Sequence, residues 1–159
     1  MKKLTLLLIF CALFFISYAQ EVRVLKIEEL KKIYTQPNDT TYIINFFATW
    51  CGPCVMEMPV LNEFQEDHKN TNTKLLFVSM DNSKYLKKLP SFIKKMKIQT
   101  PVYLLNESSD FSWLPIIDKR WQGSIPATMI VNNKNQVKAF FETPLEKGQL
   151  EFYLKRLGL

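Results

Sequence analysis

The chain has 159 residues, 47% of them hydrophobic and 23% charged, with three cysteines and a formal charge of +6. That length suits one domain, which buries roughly two-thirds of its unfolded surface and needs no disulfide staples. The positive charge comes largely from Lys84, Lys87, Lys88, Lys94, Lys95 and Lys97. They read as the solvated face of a helix without interleaved aromatics, a pattern that points away from a nucleic-acid or membrane patch.

In chain order, Met1-Lys2-Lys3, the apolar run Leu4 to Ile16 and then Ser17-Tyr18-Ala19 form the charged, greasy and small-residue regions of a secretory signal peptide. Cleavage is expected after Ala19, dividing the chain into a leader at 1–19 and a single module at 20–159. The greasy run is shorter than the roughly 20 apolar residues a membrane span requires, so no stable insertion is expected once the leader is removed. Cys11 lies inside that run and away from the cleavage point, which argues against a lipid anchor. Loss of Lys2 and Lys3 takes the charge from +6 to +4, and loss of Cys11 leaves only Cys51 and Cys54.

Leu25, Ile27, Leu30 and Ile33 recur among charges, predicting a short helix over Val24 to Tyr34. Thr41 to Ala48, rich in β-branched and aromatic residues, reads as a buried strand. A helix follows from Pro53 through Val55, Met58, Leu61 and Phe64, with Pro59 expected to bend it. Lys74 to Met80 is a second apolar strand. Ser83 to Met96 returns to helical spacing across Pro90, either as one kinked helix or as a turn before a helix starting at that proline. Pro101 to Leu105 reads as a third strand and Ser108 to Trp121 as mixed helix and loop. Ala127 to Val131 and Gln136 to Phe141 form a hairpin around Asn132-Asn133-Lys134-Asn135, and an amphipathic helix from about Leu145 to Leu157 closes the chain. The alternation predicts an α/β fold, a mixed sheet covered on both faces.

Trp50-Cys51-Gly52-Pro53-Cys54 stands at the strand-to-helix junction. A thiol there meets unpaired N–H groups and the positive end of the helix dipole, which favour the thiolate. Cys51 is therefore expected to be the nucleophile, exposed at the helix tip. Cys54, one turn inside and more buried, is expected to resolve the mixed disulfide. So short a loop removes little unfolded-state entropy when bridged, so the pair is not a staple. A zinc site needs further ligands, and the mature chain offers one histidine, His68, read as a solvated helix-end residue; no metal is expected.

Phe46 to Cys54, with Glu57 and Pro59 following, resembles the thioredoxin superfamily and specifically its TlpA/ResA-like extracytoplasmic branch. The resemblance implies a thioredoxin fold, a central mixed β-sheet flanked by helices on both faces. Gly123-Ser124-Ile125-Pro126-Ala127-Thr128 is similar to the loop that carries the family's cis-proline, which implies a cis Ile125–Pro126 bond packed against the disulfide. Trp50, Ile125 and Pro126 would then border the substrate groove, with the backbone of Ile125 pairing with an extended segment. Trp121 is read either as groove or as core. Glu57 matches an acidic position of this branch and is expected to act as proton acceptor for Cys54, against the alternative of a surface helix residue. Asn45 stands where ordinary thioredoxins carry a buried aspartate, shifting that burden to Glu57 or water.

The function implied is an exported thiol–disulfide oxidoreductase that reduces disulfides of exported proteins, the cysteines of apocytochrome c among them by analogy. A membrane electron-donor protein would recharge it, in the periplasm or another extracytoplasmic space, with no cofactor beyond the two cysteines. The alternatives are a non-catalytic peptide-binding module and a thiol peroxidase. The second is disfavoured because Thr49 lies two rather than three residues before Cys51 and no matching proline precedes it.

Overall fold

The structure, a computed structural model, describes residues 22–159. The expected leader at 1–19 and Cys11 lie outside the described residues.

Six strands form one mixed sheet in the order β1-β4-β3-β2-β5-β6. They are β1 (Arg23–Leu25), β2 (Thr41–Phe47), β3 (Thr73–Ser79), β4 (Val102–Leu105), β5 (Ala127–Asn132) and β6 (Val137–Phe141). The β1–β4, β4–β3 and β3–β2 pairs are parallel, whereas β5 runs antiparallel to β2 and β6 antiparallel to β5. Six helices accompany them among the described residues: α1 (Ile27–Tyr34), α2 (Gly52–His68), α3 (Leu89–Lys95), α4 (Leu114–Ile117), α5 (Gln149–Arg156) and a 3₁₀ segment over Ser83–Lys88. This is the mixed α/β sheet covered by helices that the alternation implied, and the thioredoxin-like fold that the resemblance implied. Among the described residues no helix is long and apolar enough to cross a membrane.

Both faces of the sheet are apolar because β2 alternates its side chains between two cores. Ile43 and Phe47 join Cys54, Met58 and Leu61 of α2 on one face. Tyr42, Ile44 and Phe46 join Leu30 of α1 and Trp121 on the other. Asn45 shares the parity of Ile43 and Phe47, so a polar group is aimed at α2, and the fold must satisfy it.

Three local expectations need correction, and the alternative left open at Pro90 is decided. Val24 and Leu25 belong to a strand and not to the first helix, because β4 offers a parallel edge to Arg23–Leu25; α1 starts only at Ile27. The stretch across Pro90 divides into the 3₁₀ segment and α3, with Pro90 in the first turn of α3, where its missing N–H costs nothing. The hairpin's second strand starts at Val137 because Gln136 takes a left-handed φ of 54° in the turn. The last helix starts at Gln149, after Gly148 with φ 78°, a conformation that glycine adopts without strain. Pro59 does not interrupt α2, which continues to His68.

Candidate active site

Cys51 is the N-cap residue of α2, in extended conformation, and Cys54 sits in the first turn. Their sulfurs are joined in a disulfide with Cα atoms 5.3 Å apart. The Cys54 backbone N–H points at Cys51 Sγ, 3.2 Å away. In the reduced protein this amide and the helix terminus stabilise a Cys51 thiolate. Cys54 is fully buried. Cys51 is only 5% exposed, which corrects the expectation of an exposed helix tip: the Ile125 carbonyl oxygen stands 3.8 Å from its sulfur, and Cys51 itself belongs to the buried cluster that holds Ala48 and Met58. Trp50 beside it is 72% exposed.

The Ile125–Pro126 bond is cis, with Ile125 half-buried and Pro126 buried. Trp121 lies in the core, its ring 4.7 Å from Phe46, and its indole N–H donates to the Ser124 carbonyl at 2.9 Å. It supports the proline loop from beneath and does not line the groove.

Glu57 is 2% exposed, so the surface reading of this residue is overturned. One turn beyond Cys54, it faces inward along the same side of α2. Its carboxylate accepts from Asn45 Nδ2 at 2.8 Å and from the Leu145 N–H at 2.7 Å. Asn45 also donates to Thr128 Oγ1 at 3.0 Å, its cross-strand neighbour in the β2–β5 register. Asn45 Oδ1 is buried without a donor, so the amide is turned wholly to serve acceptors. Burial pushes the Glu57 pKa above the usual carboxylate range, and the Leu145 and Asn45 hydrogen bonds pull it partly back.

Sequence reasoning did not single out Asp81. Buried at the end of β3, its carboxylate accepts from the Thr49 N–H at 3.0 Å, the Thr49 hydroxyl at 2.8 Å and the Ser79 hydroxyl at 2.7 Å. These bonds tie down the segment that leads into Trp50 and Cys51. A carboxylate directly after an apolar strand was the available signal. Asp81→Ala strands the buried Ser79 hydroxyl and the two half-buried Thr49 donors, and is expected to lower the unfolding free energy by about 3 kcal/mol in a denaturant titration; a loss below about 1 kcal/mol would mean that water replaces the carboxylate. His68 differs too from a merely solvated residue: it stacks on Phe64 with ring centroids 4.0 Å apart. Among the described residues no group of three or more histidines, cysteines and acids could hold a metal ion.

The AhpC/TSA family model matches residues 19–140. The chain belongs to the AhpC/TSA family. Among its relatives of thioredoxin type it is similar to thiol–disulfide oxidoreductases of the ResA kind. It is 34% identical over 107 residues to "Thioredoxin Y2, chloroplastic" of Arabidopsis thaliana, covering 65% of this chain and 56% of that protein. To a thiol-disulfide oxidoreductase ResA of Bacillus cereus it is 26% identical over 114 residues, covering 72% of this chain and 61% of the relative. The chain thus spans less than two-thirds of the length of these relatives. The crystal structure of StoA from Bacillus subtilis superposes with a TM-score of 0.56 at 24% identity, covering 74% of this chain and 84% of that one, and shares the fold.

Proposed function

We propose that this family member is an exported thiol–disulfide oxidoreductase that reduces disulfides in other exported proteins. The observation that carries the reading is the closed Cys51–Cys54 pair at the N-terminus of α2, with the Cys54 N–H on Cys51 Sγ and Cys54 itself buried. In the reduced enzyme the Cys51 thiolate attacks one sulfur of a substrate disulfide. That bond breaks, a mixed disulfide forms on Cys51, and the other substrate sulfur leaves as a thiolate that takes up a proton. Cys54, losing its proton towards Glu57, then attacks Cys51 Sγ, which closes the intramolecular disulfide and releases the second substrate thiol. Two electrons pass from the dithiol to the substrate. A protein dithiol at the membrane must return them before the next turnover.

Trp50, Ile125 and Pro126 border the substrate in this reading, with the Ile125 carbonyl beside the attacking sulfur. The Gly-Pro pair between the cysteines supports a reducing direction: it places no cation beside Cys51 to stabilise the thiolate further. Export rests on the leader-like residues 1–19, and the periplasm is the compartment we assign. A peroxidase gains no support from Thr49, whose hydroxyl is committed to Asp81.

The test is stoichiometric. The reduced protein, mixed with an oxidised model protein holding one accessible disulfide, is expected to give up one dithiol for each disulfide opened, counted by thiol alkylation and mass spectrometry. Peptide binding without any change in thiol count would replace this function with that of a binding module, and peroxide turnover would replace it with a peroxidase.

A further inference from the structure

From Asn82 to Asn106 the chain carries six lysines and no acid. Lys84, Lys87, Lys88, Lys94, Lys95 and Lys97 are all exposed. Elsewhere five cations find carboxylates: Lys26 meets Glu107, Lys69 Glu66, Arg120 Asp118, Lys134 Asp39 and Lys147 Glu63. Among the described residues none of the six takes part in an ion pair. Lys84 and Lys88 instead lie over the half-exposed Tyr85 ring, each 5.3 Å from its centroid. Like charges crowded without partners repel one another, so this field is not there for the stability of the fold.

The basic segment is also locked to the redox site. Asn82 follows Asp81, whose carboxylate holds Thr49 two residues before Cys51. Leu89 and Ile93 pack in the same core as Cys51, Cys54 and Met58, and Phe92 stacks on Phe47 at 5.9 Å. Asn62 of α2 donates to the Met96 carbonyl at 2.8 Å, fixing the far end. No exposed acid offsets this field within the first turns of α2: Glu57 is buried, and Glu63 follows twelve residues after Cys51, roughly 18 Å along the helix. Trp50 and Met56 complete the surface as exposed apolar side chains, the latter 74% exposed.

We propose that the Ser83–Lys97 surface is one flank of the docking site, and that it selects disulfide-bearing partners whose surface beside the disulfide is acidic. Trp50 and Met56 supply the apolar contact near the sulfurs, and the lysines supply steering and register at the rim. The inference rests on the oxidoreductase reading and names the chemistry of its partner.

Three synthetic peptides with one intramolecular disulfide, differing only in whether glutamates, lysines or serines flank it, separate the two ideas. At low ionic strength the wild-type dithiol is expected to reduce the glutamate peptide about tenfold faster than the serine peptide, and the lysine peptide more slowly, as oppositely charged faces accelerate encounter. The glutamate advantage should vanish in about 1 M salt, where the screening length shrinks to roughly 3 Å. In the Lys84→Glu, Lys87→Glu, Lys88→Glu triple variant the glutamate-to-serine rate ratio is expected to fall about tenfold, to near one. A wild-type protein that reduced all three equally, or a triple variant that kept the wild-type ratio, would overturn the docking proposal while leaving the oxidoreductase reading intact. Failure to reduce any of the three would instead overturn the oxidoreductase reading. Cosedimentation with phosphatidylserine vesicles that the triple variant abolishes, without any peptide preference, would assign the lysines to a lipid surface and likewise overturn the proposal.

Discussion

Cys51→Ser is expected to drop disulfide reduction to the uncatalysed background, a loss on the order of a thousandfold or more, since thiolate attack has no substitute in a hydroxyl at neutral pH. Cys54→Ser is expected to fail differently. Its Cys51 still sits beneath the first N–H groups of α2 and still attacks, but nothing then reaches Cys51 Sγ, so a covalent complex with the substrate accumulates in a one-to-one ratio. Non-reducing electrophoresis followed by mass spectrometry reads this directly. Burial supports the order of events: Cys54 has no exposed surface, whereas Cys51 keeps a small opening beside Ile125. Should Cys51→Ser trap substrate on Cys54, the roles assigned to the two sulfurs would be reversed.

Glu57→Gln is expected to make the protein slower and more stable at once. The wild-type carboxyl is buried, with its pKa raised chiefly by desolvation. A carboxyl whose folded pKa exceeds its unfolded one binds more protons when folded. Its contribution to stability is therefore fully present below the unfolded pKa and is lost as pH rises through the raised folded value. At neutral pH the native state thus holds an ionised group at a cost, relieved only in part by Asn45 and Leu145. The amide of glutamine keeps an acceptor for the Leu145 N–H, and the Asn45 side chain turns so that its unpartnered Oδ1 meets the new N–H₂ group. Unfolding at neutral pH should then require about 1 kcal/mol more than in the wild type, and the fall of stability with pH above the ordinary carboxylate range should flatten. Closure of the Cys51–Cys54 disulfide should slow by about a hundredfold, the usual worth of a positioned general base. The rate limb that rises through the Glu57 pKa should disappear with it, leaving only the thiol ionisations. A variant less stable than wild type at neutral pH would mean that the ionised acid is a net stabiliser; an unchanged pH–rate profile would remove Glu57 from the proton path.

The redox motif was legible because its chemistry is local. Two cysteines three apart with Gly-Pro between them, directly after a β-branched and aromatic run, form a dithiol at a helix N-terminus whatever the rest of the chain does. Continuous apolar strands were readable for a similar reason, since β2 and β3 must be apolar on both faces when helices cover both sides of the sheet. The errors fell where a distant partner decides the backbone. Val24 and Leu25 carry a helix-compatible pattern, and it is the open edge of β4, some eighty residues on, that makes them a strand. Leu145 belongs to the apolar stripe of the last helix by spacing, yet its N–H is spent on Glu57 and the helix waits for Gly148.

By itself, then, the amino-acid sequence determined the dithiol, the strand and helix that carry it, and the two-sided apolar sheet, because each depends on neighbours a few residues away. Only the tertiary structure decided the electrostatics around the sulfurs. It turned Glu57 from a possible surface acid into a buried one held by Asn45 and Leu145, and recruited Asp81 to anchor the approach to Cys51. The physical reason is that a charge takes its meaning from burial and from partners that converge in space, and for these residues the partners lie a dozen to nearly ninety positions away along the chain.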